Sequence, residues 1–183
     1  MNEKSDDQMQ KMFEDAARHN SLLYQTQTAG IRLDASRYCP MKSHESMLNF
    51  GDGLIGSIEI PKISLKYPLY HGTQDKILNQ GIGHLRKSSL PADETGEHMV
   101  LSGHRGLPTA KLFTRLDEMD KGDLFFLNVG DQKMAYRVND ICAVERNDTR
   151  VMKIEPDKDL VSLVTCTPYD INLMAASDWK KAN

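Results

Sequence analysis

A thiol and an imidazole each follow directly on an apolar run of this chain, where a strand would end. Cys166 closes the run at residues 160–165, and His104 follows the run at 98–101 between two glycines. A thiolate beside an imidazolium is stabilised, and the imidazolium can then protonate a leaving amine. Such pairs meet in space rather than in sequence. The two residues together predict a nucleophilic thiol, although a cysteine is also often a small buried side chain and five other histidines compete with His104.

Short runs of β character, separated by turn residues, make up most of the chain after Gly53. They lie at residues 54–60, 63–70, 98–101, 124–129, 133–144 and 160–166. Many short strands without regular alternation with helices favour a closed or nearly closed, mainly antiparallel barrel. One helix is expected among them, starting near Pro108 and stopping by Gly122.

Ahead of the strands, apolar residues recur at three- and four-residue steps over residues 6–23, which predicts an amphipathic helix. Residues 26–49 are polar and carry Gly30 and Pro40, so we expect a long loop or arm there. Loops of that length without structure of their own are usually functional lids or disordered. We therefore divide the chain into a helix and arm, residues 1–50, and a catalytic barrel, residues 51–183.

The composition of the chain argues against several classes of function. The 183 residues carry 23 basic and 26 acidic side chains, a net charge of −3, so no broad cationic field is present for nucleic acid. The three cysteines match no zinc spacing and no acidic cluster has calcium-loop spacing, so neither a metal nor another cofactor is expected. We also expect neither a signal peptide nor a membrane span, and a soluble domain excised from an anchored protein is an open possibility.

Seven segments of the chain, among them Gly-His-Arg-Gly at 103–106 and Val-Thr-Cys-Thr-Pro-Tyr at 164–169, resemble in this order the sortase family. Within it they are most similar to the class C sortases, which polymerise pilins in Gram-positive bacteria. The pairing of Gly-His-Arg-Gly at 103–106 with Val-Thr-Cys-Thr-Pro-Tyr at 164–169 is the most specific part. The segments are residues 56–63, 68–73, 81–85, 102–108, 110–113, 121–123 and 163–169.

The resemblance implies an eight-stranded barrel and a transpeptidation. Cys166 would attack the Thr–Gly bond of an LPxTG-like sorting signal on a pilin, with His104 as general acid and base. A lysine amine of an acceptor pilin would then resolve the thioacyl-enzyme and leave an isopeptide bond. Thr165 falls where the family has a substrate-contacting hydroxyl, and it is equally an ordinary strand residue. Arg105 is the second residue that we expect to contact substrate.

The family's third catalytic residue, an arginine about nine residues after the cysteine, has no counterpart here. Ala175 stands at that position, and no arginine follows Arg150. Removing one well-placed oxyanion donor costs on the order of 3 kcal/mol in activation free energy. We expect a weakened enzyme unless another cation substitutes; the candidates are Arg105, Arg146, Lys180 and Lys181. A divergent last strand, an altered sequence and an artificial end of the chain are all open explanations.

The arm at residues 26–49 occupies the place of the lid that class C sortases carry over the active site. Asp34 would be its anchoring acid and Tyr38 its aromatic plug, but the proline of the usual lid motif is absent. Without an arginine at position 175, Asp34 also loses the partner that the family would give it. Cys39 lies in the same arm, either as an exposed thiol or as a group that reaches Cys166 on oxidation.

The same resemblance implies partners and a location. The partners are pilin subunits with LPxTG-like signals, and the location is the outer face of a Gram-positive cell membrane, with the tether outside this chain. Two alternatives are kept: a housekeeping-type sortase that joins proteins to the cell-wall peptide, and a sortase-fold module that binds sorting signals without turnover. The second is motivated by Ala175.

Overall fold

Eight strands close into a barrel in the computed structural model of this chain, which describes residues 5–29, 44–92, 94–106, 111–144, 153–166 and 172–179, with Ala29, Cys166 and residues 172–179 described by their backbone. The order around the barrel is β1-β2-β3-β4-β7-β8-β6-β5, and β5 pairs with β1 to close it. Among these strands β2–β3 and β4–β7 are parallel pairs and the others are antiparallel, so the predicted barrel is confirmed. The strands are β1 (Leu54–Ile60), β2 (Leu65–His71), β3 (Ile82–His84), β4 (Glu97–Ser102), β5 (Leu124–Val129), β6 (Gln132–Val144), β7 (Asp159–Cys166) and β8 (Asn172–Trp179).

Helices are few in the described part of the chain. The predicted N-terminal helix is present as α1 (Asp6–Ala29), which continues past residue 23 into the expected loop. The second predicted helix is a 3₁₀ helix, Leu112–Glu118, and its expected start at Pro108 lies outside the described residues. Further short helices are α2 (Asp75–Leu78) and the 3₁₀ helices His44–Ser46 and Pro61–Ile63. The division of the chain at residue 50 stays a prediction.

Alternation along the strands fills the barrel. In β5 the side chains of Phe125, Leu127 and Val129 are fully buried, whereas Leu124 is 42% exposed. Successive side chains of a strand point to opposite faces of the sheet, so a period of two places one set inside the barrel. Burying each such side chain stabilises the fold by about 1.5–3 kcal/mol. None of the described helices is long and apolar enough to cross a bilayer.

The helix α1 is held against the barrel by a buried amide, Asn20. Its Nδ2 donates to the Leu90 carbonyl and to Glu97 Oε1, each at 2.7 Å, and its Oδ1 accepts the Leu90 N–H at 2.8 Å. Glu97 Oε2 accepts the Ala92 N–H at 3.2 Å. Because Asn20 is only 3% exposed, these bonds replace water that the amide has lost. The N-terminal helix is therefore an integral part of the packed structure.

Glu97 makes the stability of the fold depend on pH. Burial, together with the nearby Asp159 carboxylate, raises the pKa of Glu97 to about 8. Its pKa in the unfolded chain is about 4.5, so the folded state binds the extra proton between these values, and the contribution of Glu97 to stability falls as pH rises. We expect Glu97→Gln to gain stability over wild type by about 1 kcal/mol per pH unit between pH 5 and pH 8.

The measurement is urea denaturation of both proteins across that pH range. The difference between their free energies of unfolding is compared at each pH, because the buried histidines titrate in both proteins. Glu155→Gln is the matched control, since Glu155 lies at the surface and its pKa is lowered by the hydrogen bond from Lys158. A difference between Glu97→Gln and wild type that stays constant with pH would contradict the raised pKa of Glu97.

Candidate active site

The strands β4 and β7 lie side by side and run in the same direction, so both end at the same edge of the barrel. Ser102 is paired with Val164, and beyond them the Gly103 N–H donates to the Val164 carbonyl at 3.1 Å. His104 and Cys166 are each two residues past that pair. Neighbouring strands lie about 4.8 Å apart. The topology therefore brings His104 and Cys166, which are distant in sequence, to neighbouring positions.

The loop that carries His104 is fixed by the 3₁₀ helix Leu112–Glu118. The Phe113 N–H donates to the His104 carbonyl at 3.1 Å, and the Gly106 N–H donates to Thr114 Oγ1 at 3.0 Å. Gly106 has a φ of +76°, which a residue with a side chain adopts only with strain. His104 and Gly106 are thus both tied to this 3₁₀ helix. Nothing in the sequence pattern marked Thr114 for this role.

Gly103 and Thr165 join the two strand ends. A Cβ on Gly103 would lie 2.7 Å from Ile82 Cδ1 and from Phe113 Cδ2, so only glycine fits. Thr165 is 2% exposed, and its hydroxyl donates to the Gly103 carbonyl at 2.9 Å. This bond positions the residue before Cys166 relative to the residue before His104. The structure therefore gives the Thr165 hydroxyl a partner within the protein.

Arg105 is half-buried next to His104 and forms an ion pair. Its Nη2 donates to Asp117 Oδ2 at 2.8 Å, on the same 3₁₀ helix. The side chain of Arg105 is 23% exposed and that of Asp117 is 48% exposed. A partly exposed pair of this kind stabilises by about 1 kcal/mol, so it can open when a substrate competes for the guanidinium. Among the described residues, Arg105 is the cation closest in sequence to His104.

Position 175 lies within β8, which pairs with β6 on one side and with β7 on the other. Ala175 is paired with Leu163 on one side and with Ile141 on the other. Leu163 is fully buried in the barrel core. Directly opposite residues of antiparallel strands lie on the same face of the sheet. The register therefore assigns position 175 to the core face, and position 174, which is paired with Val164, to the other face.

Other predicted site residues lie outside the described part of the chain. They are the two lid candidates Asp34 and Tyr38, the thiol of Cys39, and the alternative cations Arg146, Lys180 and Lys181. The structure brings together His104, Thr165, Arg105 and the backbone of Cys166.

Comparison with known proteins identifies the family of this barrel. The family described as "Sortase domain" matches residues 58–177. The chain belongs to the sortase family. Its members are cysteine transpeptidases, and the matched range contains both His104 and Cys166.

Relatives of known structure are similar over nearly the whole chain. Sortase C1 from Streptococcus agalactiae is 34% identical with a TM-score of 0.87, and the match covers 98% of this chain and 93% of that one. Sortase C of Streptococcus pneumoniae is 33% identical with a TM-score of 0.81, covering 98% and 91%. Both are class C sortases, which confirms the resemblance found in the sequence.

A curated relative of another type matches a shorter stretch. Sortase D of Bacillus subtilis (strain 168) is 35% identical over 114 residues, which are 62% of this chain and 54% of that protein. The chain thus spans about half the length of the curated sortases that it matches.

Proposed function

We propose that this sortase is a cysteine transpeptidase that acts on pilins. It cleaves an LPxTG-like sorting signal, forms a thioacyl-enzyme at Cys166 and transfers the acyl group to a lysine amine of an acceptor pilin. The observation that carries the proposal is the register of β4 and β7, which sets His104 beside Cys166 in a barrel similar to class C sortases. The location that fits this reaction is the outer face of a Gram-positive cell membrane.

The chemistry follows from the two groups. The Cys166 thiolate attacks the carbonyl carbon of the threonine in the signal, and the C–N bond to the following glycine breaks. The His104 imidazolium gives its proton to the leaving amine. In the second half, neutral His104 takes a proton from the acceptor amine as that amine attacks the thioester, and the Cys166 thiolate leaves. No net proton is consumed over the cycle.

The scaffold supports this cycle by holding both reacting residues on rigid elements. The Phe113 N–H fixes the carbonyl of His104, and Thr165 ties Gly103 to β7. Positioning of reacting groups supplies a large part of an enzyme's rate enhancement. Once the Arg105 guanidinium is released from Asp117, it can bind the sorting signal or stabilise the oxyanion.

The test is intact-mass spectrometry of the whole chain after incubation with a sorting-signal peptide. We expect the mass to rise by that of the acyl fragment, and hydroxylamine to remove the adduct because it cleaves thioesters. Peptide binding without any adduct would instead identify the binding module that the missing arginine suggests. Resolution by a cell-wall peptide amine, and not by a pilin lysine, would favour the housekeeping-type alternative.

His104 provides a second test. We expect His104→Ala to lower the acylation rate by about 10²–10⁴-fold, the usual contribution of a general acid and base. The wild-type rate should fall on both sides of a pH optimum, because thiolate and imidazolium must be present together. The measurement is stopped-flow acylation with a fluorogenic peptide across pH, with circular dichroism to show that the variant is folded. An unchanged rate would remove His104 from the mechanism.

A further inference from the structure

Four imidazole rings lie together on the side of the barrel that faces α1. His44 belongs to the 3₁₀ helix His44–Ser46, and its ring centroid is 5.0 Å from that of His19 on α1, 5.4 Å from His71 and 5.1 Å from His84. His71 and His84 are the last residues of β2 and β3, where the parallel register pairs them directly. Three separate parts of the fold thus converge on one point. This cluster has no place in the proposed transpeptidation.

Hydrogen bonds fix the tautomers of the two barrel histidines. His71 Nε2 lies 2.8 Å from the Met47 carbonyl, and His84 Nε2 lies 2.8 Å from the Ser89 carbonyl. A carbonyl oxygen only accepts, so Nε2 carries the proton in both rings. Each neutral ring then has its lone pair on Nδ1. Burial lowers the pKa of both histidines, which keeps these rings neutral.

The nitrogens left over are buried and have no hydrogen-bond partner. They are Nδ1 of His71, Nδ1 of His84 and both ring nitrogens of His44. Buried polar atoms are nearly always paired, and leaving one unpaired costs about 1–3 kcal/mol. Several such atoms facing one another call for a common partner.

We propose that His44, His71 and His84 bind a divalent transition-metal ion of the zinc class. One nitrogen from each residue lies within 4.8 Å of the others, and among the described residues this is the group of histidine, cysteine and acidic side chains with metal-binding geometry. In a tetrahedral site with bonds of about 2.0–2.1 Å, ligand nitrogens are about 3.4 Å apart. To close the difference, the His44 ring must turn out of its nearly parallel orientation to His84, from which it differs by 10°. The ion supplies the common partner that the lone pairs lack.

The donor set selects the class of metal. Neutral imidazole binds Zn²⁺, Co²⁺, Ni²⁺ and Cu²⁺, whereas Ca²⁺ and Mg²⁺ require oxygen ligands. The hydrogen bonds from Nε2 to backbone carbonyls are those that metal-binding histidines ordinarily make, and they orient Nδ1 toward the ion. Arg86, whose charge acts on His44, is paired with Glu45. Three protein ligands leave a fourth position for water.

Bound metal would join the segment at residue 44 to the ends of β2 and β3. Met47, from the same segment, already accepts the hydrogen bond from His71. Because the unfolded chain offers no preformed site, binding stabilises the folded state. The function assigned to the ion is therefore structural: it fastens the chain ahead of β1 to the barrel.

The experiment titrates the metal-free full chain carrying Cys166→Ala with Co²⁺ and Zn²⁺. We expect the visible absorption of tetrahedral Co²⁺ without a thiolate charge-transfer band. Added Zn²⁺ should displace the Co²⁺ and remove this absorption. At 100 times Kd, Zn²⁺ should raise Tm by about 5–10 °C. His44→Phe keeps a ring of similar shape that can stack on His84, and it should weaken binding by at least about 100-fold. The matched control adds His104→Ala to Cys166→Ala and should bind as before.

Absence of a Co²⁺ spectrum, or equal affinity in His44→Phe, would overturn the proposal and leave a cluster of neutral histidines that holds water or nothing. If His44→Phe does not fold, NMR of the histidine ring nitrogens in the protein that retains His44 provides the test. Zn²⁺ should then shift Nδ1 of His71 and His84 while their Nε2 protons persist. A shift at Nε2 instead, or no shift, would count against the site.

Discussion

Replacing Cys166 by alanine is expected to abolish acyl-enzyme formation with an LPxTG-type peptide and to leave the fold intact. Alanine keeps the Cβ but removes the sulfur that forms the new bond, so no thioester can form. Removing a nucleophile costs on the order of 10⁶-fold in rate where the residue acts within a catalytic unit. The measurement is the intact mass of the enzyme after incubation with peptide, followed by quantified cleavage.

The chain supplies its own matched controls, because it contains two other cysteines. Cys142 is half-buried on β6, and Cys39 lies in the arm before the barrel. Cys142→Ala and Cys39→Ala should both keep the adduct at full yield. Cleavage that survives in Cys166→Ala, or an adduct that disappears in Cys142→Ala, would show that Cys166 is not the nucleophile.

The barrel was predictable where its strands are long and alternate cleanly. The bounds predicted for β1 and β5 match the structure, and Cys166 ends β7 as its apolar run predicted. The sequence pattern did not predict β3, α2 or β8, nor the 3₁₀ helices His44–Ser46 and Pro61–Ile63. β3 has three residues, too few to show a period of two, and α2 is a single helical turn. The sequence of β8, Asn-Leu-Met-Ala-Ala-Ser-Asp-Trp, has little of the β-branched content that marks a strand.

The sequence predicted the residues of the active site but not their arrangement in space. Strand ends suggested Cys166 and His104, but their proximity depends on the parallel pairing of β4 with β7, a non-local contact. No pattern in the sequence predicts the histidine cluster. His44, His71 and His84 stand at no recurring spacing, and only the register of β2 with β3 makes two of them neighbours. The spacing of acidic residues and cysteines does not predict this site, because its ligands are histidines from separate parts of the chain.

The register of β8 determines which of its positions would bring an arginine near Cys166. Counting nine residues from Cys166 reaches position 175, but the register of β8 pairs that position with Leu163 in the core. Position 174 is paired with Val164, which is half-buried, and lies on the same face of the sheet as position 166. Two residues along a strand are about 7 Å, a span that an arginine side chain covers. An arginine useful to catalysis therefore belongs at 174.

We expect Met174→Arg to raise the acylation rate by about 10²–10³-fold, the gain that one well-placed oxyanion donor provides. Ala175→Arg should give no such gain and should destabilise the fold by several kcal/mol, because it forces a charge toward the core. Met174→Gln is the control for side-chain length without charge. Rates come from the fluorogenic peptide and stabilities from urea denaturation.

The comparison discriminates between two registers of one strand. A slip of one residue would exchange the two faces of β8. If Ala175→Arg accelerates acylation and Met174→Arg does not, the active enzyme pairs β8 one residue away from the register found here. If neither accelerates it while Arg105→Ala removes the remaining rate, the cation is Arg105, released from Asp117 by the substrate. Each of these outcomes identifies the residue whose positive charge stabilises the oxyanion. The three positions can be told apart because they belong to different faces or strands of the same barrel.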